Sequence, residues 1–161
     1  MRSRLLPIGL VLLLLVSPRC RRDAPAAPPA EPVTLASGLI VQDLRLGTGP
    51  EPSDGWYVAL HYAARLVAVD GAPRTDPPYD STRQGEPFLA KLGRTPLLPG
   101  LLEGLRGMKE GGQRRLTIPP ALAYGAIGKG AIPPASTLEY DVDLAKGQKT
   151  GAFEICDQLG G

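Results

Sequence analysis

"LLPGLLEGLRGMKEGGQRRLTIPPALAYG", residues 97 to 125, changes rhythm twice. In its first half Leu98, Leu101, Leu102, Leu105 and Met108 recur at helical intervals, which puts them on one side of a helix. Pro99 suits the first helical position, where its missing N–H costs nothing, and Gly111-Gly112 supplies a turn. Leu116 and Ile118 then keep the period of two that belongs to a strand. A short amphipathic helix running straight into a strand must bury its stripe on a sheet, so the stretch commits the chain to a mixed architecture. After the strand comes a loop with two Pro-Pro pairs, Pro119-Pro120 and Pro133-Pro134, that contains Tyr124 and Ile132. Loops of that composition carry function more often than structure.

Working outward, "VALHYAARL" places Val58, Leu60, Tyr62, Ala64 and Leu66 on one face of a strand. His61 then falls on the opposite, outer face. "LEYDVDL" alternates most cleanly, with Leu138, Tyr140, Val142 and Leu144 inward and Glu139, Asp141 and Asp143 outward. "GLIVQDLRL" reads as the first strand, with the turn "GTGPEPSDG" after it. The expectation is an α+β fold: an antiparallel sheet with one wet face, half-rolled around one helix over a single core. "KEGGQRR" reads as a solvated turn.

Composition narrows the function classes. A formal charge of +2, evenly spread over 161 residues, argues against nucleic acid and against an electrostatic membrane surface. One histidine and two cysteines leave too few ligands for a zinc site. Cys20 and Cys156 stand far apart, and a disulfide from leader to tail would be an odd staple.

The first residues read as an export signal rather than as part of the fold. "MRSRLLPIGLVLLLLV" sets arginines before an apolar run from Leu5 to Val16, too short to span a bilayer comfortably. Cys20 stands where a bacterial lipoprotein carries its lipid, although Arg19 precedes it where a small residue is usual. Cleavage at Ala24-Pro25-Ala26 is the rival, and an uncleaved anchor the third reading. The expected organisation is a signal over 1–20, an Ala/Pro-rich tether over 21–33, a domain over 34–147 and an extension over 148–161. This locates the chain in the bacterial periplasm or cell envelope, with the N-terminal segment as its only membrane contact.

"VALHYAARL", "YDSTRQGEPF", "LLPGLLEGLRGMKEGGQRRLTIPPALAYG" and "IPPASTLEYDVDL" resemble, in order and spacing, the FKBP-type peptidyl-prolyl cis-trans isomerases. The resemblance covers about residues 36 to 146. It implies a five- or six-stranded sheet curled around the helix, with an apolar pocket between them. Carried over residue by residue, Tyr62, Asp80 and Tyr124 take the catalytic positions, with Tyr124 donating its hydroxyl to a bound carbonyl. Tyr79, Phe88, Leu97, Leu98, Leu101, Ile132 and Tyr140 take the substrate-binding positions. The family holds a substrate carbonyl on the backbone N–H of the residue at Leu98. It implies no cofactor; the partners are proline-containing segments and macrolide inhibitors.

Departures from the family pattern are local. Tyr79 and Tyr140 stand where phenylalanine is usual, and Leu101 stands where tryptophan is common. The segment between Tyr62 and Tyr79 is longer than usual, Ala63-Ala64 replaces Thr-Gly, and the "GAIGKGAIPP" loop is shorter. Macrolides should bind less tightly over a leucine floor. Two classes remain open: an isomerase acting on exported proteins, and a module that grips proline segments with little turnover. Rotation about an X–Pro bond breaks no covalent bond, so an apolar bowl with one or two hydrogen-bond donors suffices for the first.

Overall fold

The computed structural model describes residues 29–67 and 77–149. The segments expected to be an export signal with Cys20 and most of an Ala/Pro-rich tether, the centre of the long 67–78 segment, and most of the expected extension with Cys156 lie outside them.

Among the described residues seven strands and one α-helix occur in the order β1 (Val33–Thr34), β2 (Ile40–Arg45), β3 (Tyr57–Val67), β4 (Asp80–Ser81), β5 (Phe88–Lys91), α1 (Pro99–Leu105), β6 (Gln113–Ile118) and β7 (Thr137–Gln148), with a 3-10 turn at Pro120–Leu122. All pair antiparallel in one sheet ordered β1-β2-β6-β7-β3-β4, with β5 also paired to β3. The sheet exceeds the expected five or six strands because β1 and β4 are pieces of two residues each. Val33 pairs with Val41, and the Ala30 N–H donates to the Asp43 carbonyl at 2.9 Å, so the last tether residues already lie along β2.

The long strands β3 and β7 form the spine. Their alternation buries Val58, Leu60 and Ala64 on one and Leu138, Tyr140, Val142 and Leu144 on the other, all at 5% exposure or less. The outer face is drier than the alternation implies. Asp141 is buried there because Arg115 holds it bidentately at 2.7 and 3.2 Å and Arg65 bonds it at 3.2 Å. Its register partner Ala63 is also buried.

Seven residues make a helix too short to stand alone. Packing holds it: Leu101 and Leu105 enter the core, while Gly100 and Gly104 let the backbone rest on Ile118 and Leu116, where a Cβ would collide. The helix stops before the expected end of its stripe, because Arg106 is extended and Gly107 takes φ +72°. Met108 therefore reaches the core from the turn, at 2% exposure.

The "KEGGQRR" turn is likewise less solvated than its composition implies. Arg114 is buried; its guanidinium forks onto Asp43 of β2 at 2.6 and 3.2 Å and donates to the Gly104 and Arg106 carbonyls at 2.8 and 2.9 Å. It thereby satisfies carbonyls that a helix end leaves without partners.

Candidate active site

The strand pattern of β3 aims Tyr62 along the inner face, and β4 pins it there. The Tyr62 N–H donates to Thr82 Oγ1 at 3.0 Å, while Ser81 Oγ and the Thr82 N–H both donate to its carbonyl at 3.0 Å. Ser81 and Thr82 thus supply the turn bonds, which leaves Asp80 to accept from the Tyr62 hydroxyl at 2.8 Å. His61 turns outward, as its place in the strand requires, and its Nδ1 lies 3.0 Å from the Thr82 carbonyl. Periodicity could not reveal this clamp, since it joins segments about twenty residues apart.

Around Tyr62 the aromatic residues converge. Its ring meets Phe88 edge-on at 6.2 Å and Tyr140 at 5.6 Å, and the Tyr79 and Tyr140 hydroxyl oxygens lie 3.1 Å apart. Tyr124 is near enough to act electrostatically on Tyr62, Tyr79 and Tyr140. Four of the five tyrosines of the chain therefore share one place. Leu101, Ile132 and Tyr140 belong to the buried core, and Tyr62, Tyr79, Phe88, Leu97, Leu98 and Tyr124 pack against it half-exposed. Of the ten residues expected from the sequence, direct contacts join Tyr62, Tyr79, Asp80, Phe88 and Tyr140, while Leu97, Leu98, Leu101, Tyr124 and Ile132 belong to the same core or pack against it.

Tyr124 and Ile132 reach the site because the Pro/Gly-rich loop is built from its own hydrogen bonds. The Gly125 N–H closes on the Pro120 carbonyl at 2.9 Å, Lys129 and Ile132 bond each other's backbones at 3.0 and 2.9 Å, and the Ala135 N–H closes on the Gly125 carbonyl at 2.9 Å. Ala135 holds φ +55°, a costly conformation for a residue with a Cβ, with Ser136 Oγ donating to the Pro133 carbonyl beside it. Lys129 sets its ammonium 5.5 Å from the centre of the Tyr124 ring, a contact the sequence does not announce. Leu98 caps α1 with no side-chain cap bond, and among the described residues its amide N–H has no acceptor.

Burial, and then donation to Asp80, push the Tyr62 phenol above the ordinary tyrosine range. Burial, and then donation to Tyr79, do the same for Tyr140. Burial also raises Tyr79, with the Tyr140 bond working in the opposite sense. These three phenols stay neutral at physiological pH and can only donate or accept hydrogen bonds.

Two hollows, of about 150 and 290 Å³, open elsewhere, both bordered by Asp43 and Arg114 and neither containing a site residue. Charged side chains border both, Asp43 and Arg114 in each, whereas hydroxyl groups and aromatic rings meet at the tyrosines. Among the described residues no group of His, Cys, Asp and Glu could hold a metal ion, and no helix is long and apolar enough to cross a membrane.

An antiparallel sheet packed on one short helix, with an aromatic cluster on its inner face, defines an FKBP-like domain. The chain belongs to the FKBP-type peptidyl-prolyl cis-trans isomerase family, whose family model matches residues 49–145. It is 38% identical over 116 residues to FK506-binding protein 4 of Neurospora crassa, across 72% of this chain and 23% of that protein. It is 40% identical over 111 residues to FkpA of Escherichia coli K12, an FKBP-type peptidyl-prolyl cis-trans isomerase, across 69% of this chain and 38% of that one. The crystal structure of AtFKBP13 superimposes with a TM-score of 0.63 at 32% identity, covering 74% of this chain and all of that one. The chain thus spans 23% of the one curated relative and 38% of the other.

Proposed function

We propose that this protein accelerates cis–trans rotation about X–Pro bonds in polypeptides, and that its substrates are exported proteins. One observation carries the reading: Tyr62, Tyr79 and Tyr140 converge with Phe88 against the core on which Tyr124 and Leu98 also pack, and among the described residues the Leu98 N–H has no acceptor. The barrier to overcome is roughly 18–20 kcal/mol, and it arises from amide resonance. A dry, apolar surround disfavours the charge-separated planar amide, and fixed donors favour the twisted form. In this assignment Tyr124 and the Leu98 N–H hold substrate carbonyls. Asp80 orients Tyr62, while Phe88, Leu97, Ile132 and Tyr140 enclose the proline ring. Walls of this kind favour an apolar residue before the proline.

Export rests on the Arg-flanked apolar leader, with Cys20 as the lipidation candidate. A protease-coupled assay of the full chain on an Ala-Leu-Pro-Phe peptide tests the activity. Acceleration supports the isomerase, and binding without acceleration leaves a proline-segment module.

Macrolide inhibitors of the family should bind, but less tightly than over an indole floor, because Leu101 presents no flat aromatic face. Leu101, at 6% exposure, belongs to the core against which the half-exposed aromatic residues pack. Leu101→Trp should tighten macrolide binding by about 1 kcal/mol. Calorimetric titration checks this, with melting curves as the control for overpacking. Equal or weaker binding by the tryptophan form at unchanged stability would remove Leu101 from the floor.

A further inference from the structure

Tyr79 and Tyr140 carry two hydroxyl protons between them, and the single bond at 3.1 Å uses only one. Tyr140 is 5% exposed, and among the described residues its hydroxyl has no partner except Tyr79. A buried donor left unsatisfied is costly, so Tyr140 is the donor and Tyr79 the acceptor. Tyr79 then holds a proton of its own that no described residue accepts, on a half-exposed side chain packed against the site.

Its neighbours leave few other roles for that proton. The Tyr62 hydroxyl is already committed to Asp80 at 2.8 Å, and no hydrogen bond joins Asp80 to the Tyr79 hydroxyl. Tyr124, the carbonyl donor of the isomerase site, lies within electrostatic range of both Tyr79 and Tyr140.

We propose that the Tyr79 hydroxyl is a further hydrogen-bond donor of the proline site, directed by Tyr140, and that it selects bound segments presenting a carbonyl oxygen beside the proline. The proposal rests on the isomerase-site reading and deepens it. Tyr79 would touch the substrate, and Tyr140 acts on it through Tyr79 as well as by enclosing the ring.

The test uses the full chain labelled with carbon-13 at the tyrosine ζ positions and titrated with an Ala-Leu-Pro-Phe peptide. The Cζ resonance of Tyr79 should shift along with that of Tyr124, because a phenol that begins to donate changes its Cζ shielding. In parallel, Tyr79→Phe should lower kcat/KM by roughly 3- to 10-fold, the scale of one lost hydrogen bond. Tyr140→Phe should cost less, and the double variant should lose no more than Tyr79→Phe alone, since the two hydroxyls act as one unit. Saturation seen at Tyr124 with Tyr79 unmoved would overturn the inference and leave the proline-site reading intact. So would additive losses that track melting temperature. A titration that moves no tyrosine would overturn both.

Discussion

Tyr140 is buried to 5% exposure with its hydroxyl against Tyr79, so ionising it would place a phenolate in an apolar wall. Its folded pKa therefore lies above the ordinary 10.0, as does that of Tyr62. Folding favours the neutral phenol, so its contribution is fully present below about pH 10 and is lost as pH climbs toward the folded values. Above that pH the unfolded chain releases protons that the folded chain retains. Chemical denaturation at about pH 8 and about pH 11 should show a steeper alkaline loss for the wild type than for Tyr140→Phe. Equal losses would mean that the phenol is not desolvated. Strand alternation puts Tyr62 and Tyr140 on one inner face, and there their rings stand 5.6 Å apart. The Tyr79–Tyr140 bond was not legible in the sequence, since it joins residues 61 apart and depends on how β3 lies between them.

At the scale of an element, the loop from Pro119 to Ser136 is the part of the fold most specific to the site. Gly128, at φ +73°, is packed so closely on the Ile132 carbonyl and the Pro133-Pro134 backbone that a Cβ would collide. Gly128→Ala should displace Ile132 and lower kcat/KM by about tenfold or more, since small misplacements at a site are costly. Gly130 is the control: its φ is +56°, yet an added methyl meets nothing within 4 Å. Gly130→Ala bears only the left-handed conformation, about 1 kcal/mol, and should keep most of its activity. Equal losses in the two variants would show that loop packing does not place Ile132. Turn residues in the sequence announced this loop, but not its internal closure through Lys129, Ile132 and Ala135. The helix was legible by period and overextended by it, since Met108 continues the stripe after Gly107 has ended the helix. Short periodic runs do not show where backbone geometry changes.

Over the whole molecule, one side chain joins three elements. Arg114 on β6 holds Asp43 on β2 and the two carbonyls closing α1, so it locks the helix onto the sheet edge opposite β3. Arg114→Met should cost about 2–4 kcal/mol, because it strands a carboxylate and two carbonyls. Arg106→Ala breaks only the Arg106–Asp54 pair, whose side chains are 62% and 63% exposed, and should cost less than about 1 kcal/mol. Urea denaturation of both variants checks the contrast; comparable losses would deny Arg114 its special place. A run of charges after two glycines reads as solvated turn, and only the return of β6 alongside β2 buries its first arginine.

The most direct measurement of the central claim is exchange NMR on an Ala-Leu-Pro-Phe peptide, with the full chain at a small fraction of the peptide concentration. Uncatalysed interconversion takes tens to hundreds of seconds, too slow for cis–trans exchange peaks at ordinary mixing times. With catalytic protein, exchange peaks should appear and grow in proportion to the amount added. They should weaken only several-fold in Tyr124→Phe, the loss of one hydrogen bond of about 0.5–1.5 kcal/mol. Peptide resonances that shift on binding while no exchange peaks appear, even at equimolar protein, would contradict the account and leave a binder of proline segments without turnover.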